Sequence, residues 1–201
     1  MAQTSTTLSG AKSHISDVEG TDISFTATGT EYKITSTSTT LSGFAVRDLI
    51  TVTGTTNNNK TFTVKTVSSA NQLIVEEIVT TETSDGSTTT TLDHTGFVTD
   101  KAKGDGYFSQ PDGVHTVAYQ VVNLGDSTDD FFGTIKMQGS LATTPTEDDW
   151  FDIADTSYTS DQSTTIASFN FTGNFVWVRA KITTTNATGN PSMVTSILLN
   201  N

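Results

Sequence analysis

Apolar residues in this chain alternate with polar ones far more often than they recur at the three-to-four-residue spacing of an amphipathic helix. No stretch of a dozen residues combines helical periodicity with good helix formers. Residues 22–28 place Ile23, Phe25 and Ala27 on one face, and residues 31–35 offer Tyr32 and Ile34. Residues 134–141 put Ile135, Met137 and Leu141 on one side and Lys136, Gln138 and Ser140 on the other, the mark of a half-buried strand. The same reading predicts strands over 49–53, 61–67 and 72–79, then over 114–123 (with Val117, Tyr119 and Val121 on one face), 150–153, 163–171, 174–183 and 193–199. Turn chemistry separates them. Residues 54–60 hold three consecutive Asn, which tolerate positive φ, residues 69–71 form a tight turn, and Asp85-Gly86 is a strong hairpin signal.

These spacings predict an all-β protein: an N-terminal small β-barrel or sandwich and a C-terminal β-sandwich of about seven strands. The charged, glycine-rich run 100–106 and the turn Pro111-Asp112-Gly113 mark a boundary. The expected division is a domain of residues 1–103, with 1–13 a polar arm that orders only against a neighbour, and a domain of residues 104–201.

Composition supports this reading. Thr makes up about a fifth of the 201 residues, and its β-branched side chain favours pleated surfaces over helices. The formal net charge is −12. Residues 1–103 contribute −4 (7 basic, 11 acidic) and residues 104–201 contribute −8 (3 basic, 11 acidic). So acidic a surface repels phosphate backbones and anionic bilayers, so neither nucleic acid nor membrane is an expected partner. The absence of cysteine excludes disulfides, thiolate metal sites and a cysteine nucleophile. Residues 1–13 lack the apolar core of a secretory signal, and no apolar run approaches the ~20 residues of a membrane helix. Synthesis in a cytoplasm without a cleaved leader is expected.

No constellation of catalytic type emerges. His14, His94 and His115 fall on separate segments without metal-ligand spacing, there is no G-x-S-x-G elbow, and Gly104-x-Gly106 lacks the strand–helix setting of a phosphate loop. Two acidic runs, Asp126/Asp129/Asp130 and Glu147/Asp148/Asp149, read either as Ca²⁺ ligands or as solvated turns, the latter favoured because neither has EF-hand spacing. Three N-x-T triplets, at Asn59, Asn170 and Asn186, are expected by chance in so Thr- and Asn-rich a chain. The sharpest signal is aromatic. In residues 174–183, Val176, Val178, Ala180 and Ile182 share one face, which leaves Phe175, Trp177, Arg179 and Lys181 on the other. A half-buried strand does not leave Phe and Trp in water, so this face is covered by the chain itself or meets a partner. Trp150 and Phe151 are adjacent, so one of them points outward as well.

Residues 135–141, Pro145, 149–153, 171–180 and 196–200 together resemble a module of marine, cyanophage-like neck, tail and head-accessory proteins. The module is also similar to the jelly-roll sandwich of discoidin-like binding domains. Residues 44–54 followed by 57–64 resemble a small phage barrel with a "G-D-x-I-x-V-x-G", Asn-Asn turn and "T-F-T-V" pattern, from which the chain departs at Arg47, where Gly is usual. The resemblance implies a non-enzymatic virion structural protein, a capsid decoration (cement) or neck/tail accessory subunit, located in the particle. It would have no cofactor and no metal, and would work as an oligomer through contacts with other phage structural proteins and with itself. Phe175, Trp177, Arg179 and Trp150 are the expected partner-contact residues. The alternative is a glycan-binding module of a tail or head fibre that meets a host surface glycan through Trp150, Trp177 or Tyr158. A depolymerase is a third and weaker reading.

Overall fold

The computed structural model describes residues 5–111, 113–123, 130–184 and 193–200. The fold is all-β: among these residues the ordered elements are antiparallel strands and two short 3-10 turns, with no α-helix. No helix among them is long and apolar enough to cross a membrane. The chain forms two compact units, Met1–His14 with Val98–Asn201, and Ile15–Phe97. This differs from the expected division at residue 103. The chain enters the C-terminal unit first: β1 (Ser5–Ser9) and β2 (Lys12–Ser13) lie along its last strand, β17 (Met193–Asn200). Residues 5–9 and 12–13 are thus strand rather than arm. Their pairing, Thr7 with Leu198 and Lys12 with Val194, spans nearly the whole sequence and leaves no local trace.

The Ile15–Phe97 unit is a small barrel. Its strands are β3 (Val18–Gly20), β4 (Ser24–Thr28), β5 (Glu31–Thr35), β6 (Asp48–Thr53), β7 (Thr61–Ser69), β8 (Gln72–Val75) and β9 (Thr90–Val98). They pair in the order β4-β5-β8-β7-β6-β9-β3. β3 and β4, the two ends of this order, are successive parts of one segment, and the outer side of β4 is bridged by Glu82, whose N–H and carbonyl pair with those of Phe25 (2.9 and 2.8 Å). Ile23, Phe25, Ile34, Leu41, Ile50, Phe62 and Leu73 fill the interior, each less than 4% exposed. β9 is absent from the alternation reading because Asp93 and His94 interrupt its apolar pattern, yet Leu92 and His94 both point inward.

Two barrel turns differ from expectation in their chemistry. The Asn57–Asn59 turn takes its positive φ at Gly54, not at an asparagine. Buried Asn58 instead works through its side chain, donating to the Thr80 carbonyl (3.0 Å) and Glu82 (2.9 Å) and accepting from the Thr80 N–H (2.9 Å). At the other turn, Arg47 stands where the resemblance expects Gly and adopts φ +73°. It is the third residue of a turn closed by the Asp48 N–H on the Ala45 carbonyl (3.1 Å), with the Asp48 carboxylate accepting from the Ala45 N–H (2.7 Å). Left-handed backbone at such a residue stores about 1–3 kcal/mol, and part of that is returned to chain entropy when Gly replaces it. Arg47→Gly is therefore expected to stabilise the barrel by about 1 kcal/mol. Slower hydrogen exchange of β6 and β7 amides is the measurement that checks it.

The second unit is a sandwich. Its other strands are β10 (Ala102–Lys103), β11 (Val114–Val121), β12 (Gly133–Ser140), β13 (Phe151–Asp152), β14 (Tyr158–Thr159), β15 (Ile166–Thr172) and β16 (Trp177–Thr184). One sheet runs β1-β17-β11-β15, with β2 extending β1 along β17. In the other, β13 and β14 pair with β12, β12 with β16, and β16 with β10. Counting β1 with β2 and β13 with β14 as one strand each, the two orders are 1-8-3-6 and 2-7-4-5. The core between them takes Val117, Tyr119, Ile197 and Leu199 from the first sheet and Ile135, Met137, Val178, Ala180 and Ile182 from the second. The Tyr119 hydroxyl donates to the Thr156 carbonyl (2.8 Å), and burial pushes that phenol well above its ordinary pKa. Leu141, expected on the buried face with Ile135 and Met137, is exposed because β12 ends one residue earlier.

Candidate interaction surface

The residues expected at a partner contact lie on and around β16. Trp177 pairs with Lys103 of β10 and Ser140 of β12, so it sits within the outward face of the second sheet. Its indole N–H donates to the Thr143 carbonyl (3.1 Å), Lys101 Nζ lies 4.4 Å from its ring centroid, and Tyr107 meets it edge-on at 4.9 Å. Two residues on, Arg179 is only 6% exposed. Its guanidinium lies 4.2 Å over the Trp150 ring and donates in bidentate fashion to Glu147 (2.9 and 2.7 Å), while its Nε donates to Gln138 Oε1 (3.0 Å). Gln138 in turn donates to Asp152 (2.9 Å), which also accepts from Lys136. Burial alone would raise the Asp152 carboxyl, but these two hydrogen bonds outweigh it and hold the group below its ordinary range.

Phe175 departs from the expected row. The chain turns at Gly173 (φ +153°), with the Phe175 N–H on the Gly173 carbonyl (2.9 Å), so the alternation counted back along β16 breaks. The ring points inward and packs against Phe171, His115 and Phe151 at centroid distances of 6.2, 6.3 and 6.0 Å. Of the two alternatives left open by the sequence, cover by the chain itself is what Phe175 and Arg179 receive. Trp150 and Trp177 remain half-buried. Tyr158, a proposed glycan platform, is buried, with its hydroxyl donating to the Thr164 carbonyl (3.0 Å). Of the adjacent pair Trp150 and Phe151 it is Phe151 that is exposed, and Tyr107 and Phe108 are exposed too, on the 3-10 turn Asp105–Phe108 beneath the Lys103 ammonium (4.1 and 5.7 Å). Nothing in their short Gly-flanked segment distinguished them from a linker.

The first sheet has a different surface. Not one residue of β1, β11, β15 or β17 is Asp, Glu, Lys or Arg. Rows of small neutral side chains cross it, Leu198–Ala118–Ser168 and Asn200–Thr116–Asn170, with Thr116 donating to Asn170 (2.8 Å). Val114 and Ile166 are 62% and 60% exposed. By contrast, the second sheet and its flank carry Lys101, Lys103, Lys136, Arg179 and Lys181, half of the ten basic residues in the chain. Charge is therefore segregated within the sandwich, a pattern that was legible in the sequence as three long strands without ionisable acids or strong bases.

The histidines are all buried, each in its own setting: His14 Nδ1 against Thr184 Oγ1 (3.1 Å), His94 between the Ile15 N–H (3.3 Å) and Asp48 (3.4 Å), and His115 stacked on Phe171 with Asp105 at 3.5 Å. Among the described residues no three His, Asp or Glu side chains converge as metal ligands. Glu147 is held by Arg179, and Asp149 accepts the Thr146 backbone and hydroxyl (2.7 and 2.8 Å), which lowers its pKa. Asp126, Asp129 and the Asn186 triplet lie outside the described residues, and Asp130 is buried.

Asp93, by contrast, is raised above its usual range. Burial, then a hydrogen bond and charge repulsion from Asp17, raise Asp93 in the barrel to about 6, partly countered by His94. A raised folded-state pKa favours the protonated, folded form, so this stabilisation is complete below about pH 4 and is lost as the pH rises through 6. After discounting for its partial exposure, the loss is about 1 kcal/mol between pH 4 and 7. Calorimetry should show that decline in the wild type and a flatter profile for Asp93→Asn. Asp85 and Asp161, which hydrogen bonds from Thr88 and Thr164 hold well below the usual carboxylate range, do not titrate in this window.

No family model, curated protein or solved structure matches this chain.

Proposed function

We propose that this chain is a non-enzymatic structural protein of a tailed-bacteriophage particle, a capsid decoration subunit or an accessory subunit of the neck or tail. The observation that carries the reading is charge segregation: four paired strands without a single Asp, Glu, Lys or Arg in a chain of net charge −12. Long strands that only faced water would gain solubility from Lys and Glu, so a sheet whose four main strands carry neither fits one built to lie against protein. The strand orders 1-8-3-6 and 2-7-4-5 support a jelly roll, an architecture used by viral capsid proteins and by lectins alike. That step is an analogy of fold, and on its own it is neutral between the two uses.

A glycan-binding role has one observation in its favour, the exposed Tyr107 and Phe108 beside Lys103. Against it, one face of Trp177 and one of Trp150 are occupied by Lys101 and Arg179. The deciding experiment is quantitative proteomics of purified particles. Copy numbers in the hundreds indicate the capsid surface, and a dozen or fewer the neck or tail. Absence from particles, with binding to host-surface glycans that Tyr107→Ala and Phe108→Ala abolish, would replace the assembly reading by the glycan one.

A further inference from the structure

We infer that β15 is a self-pairing edge, through which two copies of this chain join their first sheets antiparallel about a two-fold axis at Phe169. The inference rests on the assembly reading for its biological meaning, but not for its physics. β15 is seven residues long, pairs with β11 on one side in an unbroken register, and among the described residues has no strand on the other. An open edge of this length exposes a row of unpaired N–H and C=O groups, which soluble proteins normally blunt with Lys, Pro, a bulge or an early stop. Ile166-Ala167-Ser168-Phe169-Asn170-Phe171-Thr172 has none of these.

The occupant is a second copy for two reasons. First, two chains of net charge −12 repel, and they repel least where each presents a neutral strand. Second, the strand is complementary to its own reverse. Centred on Phe169, antiparallel pairing sets Ser168 opposite Asn170 on the outward face, and Ala167 opposite Phe171 on the core face. Small thus meets large and polar meets polar. Phe169 lies against its own counterpart, where its half-exposed ring, which packs on Tyr119 (5.5 Å), gains a second aromatic neighbour. The contact is isologous and closes as a dimer, so each copy is left with its remaining surface for the particle.

The test is sedimentation velocity on the full chain. The wild type should dimerise, and more strongly at higher salt, because salt screens the repulsion and no ion pair is lost. Ser168→Lys/Asn170→Lys places lysines opposite lysines twice and should be monomeric. Ser168→Lys/Asn170→Glu alters the same two positions but places Lys opposite Glu twice, and should dimerise again; it also serves as the folding control. In this cysteine-free chain, Phe169→Cys should oxidise to a disulfide dimer, since opposed residues of antiparallel strands lie about 4.5–5.5 Å apart at Cα, within disulfide reach. A monomeric wild type, Lys/Lys and Lys/Glu variants that behave alike, or a Phe169→Cys variant that does not cross-link would each overturn the inference. Association only on addition of another particle protein would give the edge to that protein and overturn it too. Particle proteomics remains independent: a dimer absent from particles sinks the assembly reading alone, and a particle-bound monomer sinks the edge alone.

Discussion

Replacing Phe175 by alanine is expected to destabilise the sandwich by about 3–5 kcal/mol, because it empties the site where the ring meets Phe171, His115 and Phe151. The ring is also the reason that position 139 is glycine. A Cβ built on Gly139 would lie 2.6 Å from Phe175 Cδ1, well inside van der Waals contact, and Gly139 needs no left-handed backbone to explain it. Gly139→Ala alone should therefore cost about 1–3 kcal/mol by overpacking. In the Phe175→Ala background the same change should cost nothing or restore some stability, since the new methyl enters vacated space. That sign reversal in a double-mutant cycle distinguishes packing from any backbone effect. The readout is specific: both tryptophans of the chain, Trp150 and Trp177, belong to the sandwich, so their fluorescence during urea denaturation reports its transition and not that of the barrel. Additive costs would show that Gly139 and Phe175 do not share the site as described.

Arg179→Ala should cost about 3 kcal/mol. It strips Glu147 of a bidentate partner, removes the donor on Gln138 Oε1 and uncovers the face of Trp150. Breaking one side of a buried pair costs about 3–5 kcal/mol, and the lower end applies because Glu147 is partly open to water. Arg179→Lys should recover less than half of the loss: an ammonium cannot form the planar fork onto the carboxylate while also donating to Gln138 and stacking on the indole. Glu147→Gln, which keeps the shape but removes the charge, should fall between the two. Urea midpoints followed by Trp fluorescence measure all three. Full recovery by lysine would mean that charge alone, and not the shape of the network, holds this face.

The Arg179 network lies on the second sheet, whereas Ser168 and Asn170 lie on the first, so variants in one are not expected to perturb the other. Phe175, whose ring meets Phe171 of β15 and His115 of β11, touches the first sheet as well. Loss of particle loading by a β15 variant with an unchanged urea midpoint would then be a loss of contact and not of folding.

The all-β class and most strand positions were determined by the sequence alone. Alternation is a local property: Phe25 and Ala27, or Ile135 and Met137, fall on one face of any extended chain, and Gly and Asn mark where the chain turns. The neutrality of β11, β15 and β17 was equally local, though its meaning depended on their lying side by side. Tertiary structure alone decided the rest. The pairing of residues 5–13 with β17 joins the two ends of the chain, and no window of neighbours encodes a partner nearly two hundred positions away. It moved the unit boundary and made the barrel an insertion between the first strand and the others. β9 was hidden because a barrel can bury His94 where a pattern of side-chain types sees only polarity. Phe175 was placed on the wrong face because parity counts only while the strand stays extended. A glycine turn at Gly173 redirected the ring into the core, where the absence of side chains at Gly139 and Gly173 leaves room for it.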